Sequence, residues 1–200
     1  MLSKRLKAIS DFIPNGSKVI DVGADHALLD IYLAKEKNCQ CLATDISSKC
    51  LEKAKENIKK YKADVKIKRC DGLKGLKISD EIIILSGMGT KTILEIIPDN
   101  LENDFIISSH HDLVTLRKQM HKKGYYIYNE KVVFDKHYYV IMHFKRGKRK
   151  IDYYVSPFLT YDKDYMHHLL KKYEVIFSNT KQKLLKLKVY LIIKKIKRFL

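Results

Sequence analysis

The 200-residue sequence predicts an α/β protein: a doubly wound sheet of parallel strands, closed by an antiparallel strand pair and followed by two helices. Three observations carry this. Short β-branched runs alternate with helix-period stretches as far as Lys123, the pattern of repeated βα units. Two alternating stretches, Tyr125 to Phe134 and Tyr138 to Phe144, then face each other around Asp135-Lys136-His137. Finally, apolar residues recur at heptad spacing in two separate seams near the C-terminus.

Leu2, Leu6, Ile9 and Ile13 are spaced 4, 3 and 4 apart, one face of a first helix that Pro14-Asn15-Gly16 ends. Lys18 to Val22 is the first strand. Gly23 supplies the freedom for a sharp turn, and Asp25 is expected to cap a helix running to Lys35. Gln40 to Thr44 is the second strand, closing in Asp45, before a helix from Ser47 to Lys60. Val65 to Arg69 leads into Cys70-Asp71-Gly72-Leu73, and Ile82 to Leu85, apolar throughout, suits the centre of a parallel sheet. That strand delivers Ser86-Gly87-Met88-Gly89 and a helix from Thr90 to Ile97. Phe105 to Ser109 precedes His110-His111-Asp112 and a helix from Leu113 to Lys123. This order is the methyltransferase variant of the doubly wound, Rossmann-like sheet.

The C-terminal seams are Met166, Leu169, Tyr173 and Ile176, then Leu185, Val189, Ile192, Ile196 and Phe199. They are out of phase across Ser178-Asn179-Thr180, so an antiparallel helical hairpin is expected. The boundary falls after the basic run Lys145 to Lys150, giving a sheet domain over 1–150 and a helical part over 151–200.

The turn after the first strand selects among cofactors. A dinucleotide fingerprint needs a second glycine for close approach to a pyrophosphate, whereas Ala24, Asp25 and His26 stand here. An aspartate would repel a diphosphate. It suits S-adenosylmethionine, which carries an ammonium and a sulfonium; an ordinary capped turn is the plain alternative. Asp45, 22 residues after Gly23, stands where adenosine-type sites offer a carboxylate to ribose hydroxyls. The expected cofactor set is therefore Asp21, Gly23, Asp25, His26, Asp45, Ile46, Asp71, Gly72, Gly87 and Met88. Of these, Asp71 is placed to accept from an adenine amine, or to form a simple Asp-Gly turn.

Charge points to the partner. Residues 1–100 hold 18 Lys and Arg against 14 Asp and Glu, and residues 101–200 hold 22 against 9. The basic excess lies in the second half, which favours a nucleic acid through counterion release, a Lys-biased composition being the plain alternative. Lys148, Arg149 and Lys150 after the sheet, and Lys194, Lys195, Lys197 and Arg198 on the last helix, are the expected phosphate contacts. No apolar run is long enough to span a bilayer and no N-terminal signal core is evident, so a cytoplasmic protein with no membrane partner is expected. Cys39, Cys41, Cys50 and Cys70 contain no Cys-x-x-Cys pair, and His110-His111-Asp112 lacks a spaced partner, so no metal is expected. A monomer is the starting expectation.

Asp21-Val22-Gly23-Ala24-Asp25-His26-Ala27-x-Leu29, Asp71-Gly72-Leu73, Ser86-Gly87-Met88-Gly89 and Ser156-Pro157-Phe158-Leu159 resemble the bacterial tRNA (adenine-22-N1)-methyltransferase family, known as TrmK. The resemblance covers nearly the whole chain. It implies a Rossmann-like S-adenosylmethionine domain, a C-terminal helical domain, and methylation of N1 of an adenine in the D-arm region of tRNA. The chain departs from the family at Asp30, where members usually have proline, and at Ser108-Ser109-His110, where they usually have Gln-Pro-Asn. The absence of an Asn/Asp-Pro-Pro-aromatic motif after the fourth strand argues against an exocyclic amine as target. Asp25 is the expected catalytic carboxylate toward the adenine amine, with His26 orienting base or cofactor; a role for both in holding the cofactor alone is the alternative. The competing functions are a methyltransferase with another RNA, protein or small-molecule target, and a catalytically silent RNA-binding protein on the same scaffold.

Overall fold

The computed structural model describes residues 2–200. Strands β1 (Lys18–Val22), β2 (Gln40–Asp45), β3 (Val65–Arg69), β4 (Ile82–Ser86) and β5 (Phe105–Ser109) are parallel; β6 (Tyr125–Asp135) and β7 (His137–Arg146) form the antiparallel closing pair. The sheet order is β3-β2-β1-β4-β5-β7-β6. The chain thus reverses its direction of winding between β1 and β4, the crevice where open parallel sheets bind ligands. Inserting β7 between β5 and β6 brings the start of β7 to the same sheet edge as the end of β5, with Ser109 opposite Val140.

Helices α1 (Lys4–Ser10), α2 (Leu28–Lys37) and α3 (Ser48–Tyr61) cover one face, where Ile9, Ile13, Leu29, Leu33, Ala43 and Ile84 are buried together. The other face carries α4 (Thr90–Ile96) and α5 (Leu113–Lys122). The C-terminal hairpin, α6 (Lys163–Asn179) and α7 (Lys183–Lys197), also buries residues there. Tyr165, Met166, Leu169, Tyr173, Val189, Ile192, Ile193 and Ile196 share one apolar cluster with Ile83, Phe105, Leu116 and Phe144. The hairpin therefore extends the core of the sheet. Burying its two seams is what fixes it, at about 25 cal/mol per Å² of apolar surface removed from water.

Three expectations are corrected. Asp25 does not cap the helix: it adopts φ +51°, and α2 starts three residues later, behind Ala27 at φ +54° with no side-chain cap. The first helix is shorter than the apolar spacing implied, although Ile9 and Ile13 are buried as expected. Leu185 and Ile176 lie outside the buried seam: Leu185 is exposed in the first turn of α7, where the packed stripe begins at Val189, and Ile176 is exposed near the end of α6, past Tyr173.

Candidate active site

The β1 turn is built from backbone strain that glycine relieves and aspartate stabilises. Gly23 has φ +74°, a conformation that side-chain-bearing residues rarely adopt, and it lies within ordinary contact distance of the Met88 side chain in the loop after β4. Gly23 and Ala24 both donate backbone N–H groups to the Thr44 carbonyl at 2.9 Å, tying the turn to β2. Asp45 completes it: one carboxylate oxygen accepts from the Asp25 N–H at 3.1 Å and the other from the Ser47 N–H at 2.8 Å. Ser47, not Asp45, caps α3. Asp25 and His26 sit beside one another, 3.4 Å between carboxylate and Nε2, and Asn57 of α3 donates to the His26 carbonyl. Both therefore lie on the β2 side of the turn. Ile46 is 61% exposed next to Asp45, an apolar surface that an aromatic ring can cover.

Below the turn is a cavity of about 100 Å³ bounded by Arg5, Leu6, Asp21, Gly23, Asp25, His26 and Ser86. Two of its features are buried polar groups, one of them without a partner. The buried Ser86 hydroxyl has none among the described residues. Asp21 is buried, and burial pushes its carboxyl up to about 7, with Asp30 hydrogen-bonded to it and Arg5 opposing the rise. Asp30 is fully buried in the first turn of α2, is raised well above the ordinary range by burial and by Asp21, and has no other partner for either oxygen. Two ionised carboxylates cannot donate to each other, so the pair holds together by sharing one proton.

Arg5 reaches this place from α1. Its guanidinium lies 5.2 Å from the Tyr139 ring, next to Gly87, where an added Cβ would approach Nη1 at 3.6 Å. Sequence reasoning passed over Arg5 as part of a helix's polar face; its signal was to be the only arginine before Arg69. Gly72, by contrast, has a packing reason: a Cβ there would meet Ile96 of α4 at 3.0 Å. Asp71 is exposed and paired with Lys74 at 2.5 Å.

The expected phosphate contacts are partly brought together. Asp152 joins the two basic stretches, its carboxylate held by Lys195 of α7 and its own position two residues after Lys150. Lys150, Asp152 and Lys195 line one cavity with Phe199. Lys194, Lys197 and Arg198 are exposed on α7, Lys197 lying 3.6 Å from Glu174. Arg149 stacks over Tyr126 at 4.3 Å. The His110 and His111 rings lie against each other at a tilt of 44°, centroids 3.8 Å apart. Among the described residues, no three His, Cys, Asp or Glu side chains are grouped to hold a metal ion, and no helix is long and apolar enough to cross a membrane.

The strand order with its antiparallel seventh strand, and an acidic glycine turn at the crossover point, define the class of Rossmann-like methyltransferases. A sequence profile described as "Methyltransferase domain" matches residues 2–142. The chain belongs to this methyltransferase family, on the TrmK branch of it. It is 27% identical over 198 residues to the Bacillus subtilis tRNA (adenine(22)-N(1))-methyltransferase, covering 90% of this chain and 82% of the relative. It is 30% identical over 191 residues to the Mycoplasma genitalium protein MG248, covering 88% and 86%. Among solved structures, TrmK from M. capricolum bound to S-adenosyl-homocysteine superimposes with a TM-score of 0.81 over 100% of this chain and 97% of that one, at 24% identity.

Proposed function

We propose that this chain is an S-adenosylmethionine-dependent methyltransferase that modifies N1 of adenine 22 in the D-arm region of tRNA. The observation that carries the reading is the extent of the likeness: 90% of the chain to the Bacillus subtilis tRNA enzyme in sequence, and 100% of it, hairpin included, to TrmK from M. capricolum in fold. We divide the chain accordingly, into a methyl-transferring part over 1–150 and a tRNA-contacting hairpin over 151–200.

The site fits the cofactor. Asp21 and the unpartnered Ser86 hydroxyl face a place for an ammonium group, and Arg5 stands across the cavity to pair with a carboxylate. Asp45 has lone pairs left for ribose hydroxyls after accepting its two backbone N–H groups. Ile46 offers an apolar surface to the adenine, with Asp71 and Gly72 beyond it, while Gly87 and Met88 form the wall on the β4 side. The cofactor supplies a methyl group on a sulfonium, and its transfer to adenine N1 moves the positive charge from sulfur to the purine with no proton to remove. The protein's task is thus alignment, and accommodation of a developing cation, rather than base catalysis.

Asp25 and His26 act from the cofactor side in this reading, since Asp45 and Asn57 tie their backbone to the β2 half of the turn and both line the cavity that holds Asp21 and Ser86. The basic patch formed by Lys148, Arg149, Lys150, Lys194 and Arg198 grips the tRNA backbone. Lys195 and Lys197 contribute less, each having a carboxylate neighbour. The protein works in the cytoplasm, where tRNA is modified.

Incubation of the purified protein with unmodified bulk tRNA and methyl-labelled S-adenosylmethionine, followed by digestion, tests the proposal. Labelled N1-methyladenosine is the expected product. Label in any other nucleoside overturns the target, and the absence of label from tRNA overturns the function.

A further inference from the structure

At the opposite end of the same sheet edge lies a second cavity, of about 230 Å³, which no cofactor contact explains. It is enclosed by the turn after β5, the start of β7, and α6, and its lining includes His110, Asp112, Tyr138, Tyr165, His168 and Lys172. A continuous path of rings leads into it from solvent. Phe134, 55% exposed at the end of β6, packs edge-on to Tyr138 at 5.0 Å. Tyr138 lies 4.8 Å from His168 and 5.5 Å from Tyr165. Rings left partly open in this way offer the faces that an unstacked base needs.

The cavity is linked to the cofactor turn. Arg5 lies beside Gly87 and over the Tyr139 ring, and that ring is 4.9 Å from His110. The Thr90 hydroxyl, one residue past Gly89, donates to the His111 carbonyl at 2.8 Å, fixing the turn after β5 against the loop after β4. Lys171 and Lys172 follow His168 by three and four residues on α6, so the cations stand one helical turn from the rings. Burial and neighbouring cationic groups hold both His110 and His168 below the usual imidazole range, so at neutral pH these rings present uncharged faces. Asp112 uses one carboxylate oxygen to cap α5 at the Thr115 N–H, at 3.3 Å. Its other oxygen is available to an amine.

We propose that this cavity is the nucleobase site, in which the purine to be methylated stacks on Tyr138 between His110 and His168, its amine edge toward Asp112 and its phosphate toward Lys172. The site rests on the tRNA methyltransferase reading given above and deepens it. Its chemistry matches the product. N1-methyladenine is a cation, which ring faces and an aspartate both stabilise, and a base reaching this depth has been extruded from its helix.

The protein contains no tryptophan, so Tyr138→Trp introduces a single fluorescent reporter at the proposed shelf. Saturation with unmodified tRNA is expected to quench it, and a tRNA that binds equally well without quenching overturns the site. In parallel, Tyr138→Ala is expected to lower kcat/KM for tRNA by roughly 10- to 100-fold, with S-adenosylmethionine affinity unchanged by calorimetry and most activity retained in Tyr138→Phe. Asp112→Asn, which keeps the oxygen that caps α5, is expected to lower kcat more than it raises KM. Unchanged kinetics in Tyr138→Ala overturn the site while leaving the function intact. Quenching by tRNA in a protein whose wild type transfers no methyl to it overturns the function while supporting the site.

Discussion

The two ends of the sheet edge are built from opposite materials. Around Gly23 the chain gathers carboxylates: Asp21, Asp25, Asp30 and Asp45 lie within one turn and its supports, opposed by Arg5. Around His110 it gathers rings and lysines, with Tyr138, Tyr165, His168, Lys171 and Lys172. An acidic end attracts a cationic sulfonium cofactor and repels phosphate; an aromatic, basic end does the reverse. One edge can therefore hold two ligands of opposite charge without either occupying the other's place. Arg5 and Tyr139 lie between the two ends, the guanidinium 5.2 Å from the ring.

The comparison predicts that damage to one end spares the other, and the largest effect is expected at the acidic one. Asp45→Ala removes a carboxylate that accepts two backbone N–H groups as well as any ribose contact. Hydrogen bonds to charged groups are each worth about 1.5–3 kcal/mol, so S-adenosylmethionine affinity should fall on the order of 100-fold. Binding of tRNA, measured by filter retention, should be unchanged. A joint loss of both would mean that the two ends fold as one cooperative unit.

A smaller effect is expected on the basic surface. Reversing Lys194 and Arg198 to glutamate, at exposed positions of α7, should weaken tRNA binding about tenfold. The slope of log affinity against log salt should fall by about two, one for each phosphate no longer neutralised. Lys195 is a poor choice for this test, because a glutamate there would face Asp152 and strain the join between α7 and the segment after the sheet. Equal salt slopes in variant and wild type would remove this face of the hairpin from the interface.

The elements were legible because hydrophobic period alone decides them: β3, with Val65 and Ile67 alternating against lysines, and β5, apolar from Phe105 to Ile107, run where their side chains dictate. The Gly23 turn and Asp45 were legible for a related reason, since a glycine and an aspartate at fixed strand ends are local signals. The misreading of Asp25 came from the same locality. Aspartate before a helix usually caps it, but here Asp45, 20 residues away, claims the Asp25 N–H and holds the residue at positive φ. The convergence of Arg5, Ser86 and the ring path from Phe134 to His168 could not be read in advance. They come from α1, β4, the β6–β7 hairpin and α6, and only the insertion of β7 beside β5 brings them to one edge.

The smallest effect separates stability from binding at the acidic end. Asp21 and Asp30 share a proton in the interior, both with carboxyl groups raised by burial, Asp21 to about 7. In the unfolded chain both ionise near pH 4. Between that pH and about 7 the folded protein therefore binds more protons than the unfolded one, and the pair's contribution to stability is fullest at low pH and declines as pH rises through the folded values. Asp30→Asn supplies a permanent donor to Asp21 in place of the shared proton. Thermal melts should then show a gain of about 1–2 kcal/mol at pH 8 and little change near pH 5. Burial is the main cause that raises the Asp21 carboxyl and Asp30 opposes it as a hydrogen-bond partner, so an asparagine, which keeps a donor at that place, should leave S-adenosylmethionine affinity near pH 7 little changed. A variant as pH-sensitive as the wild type would mean that Asp30 carries no shared proton, and that burial alone governs Asp21.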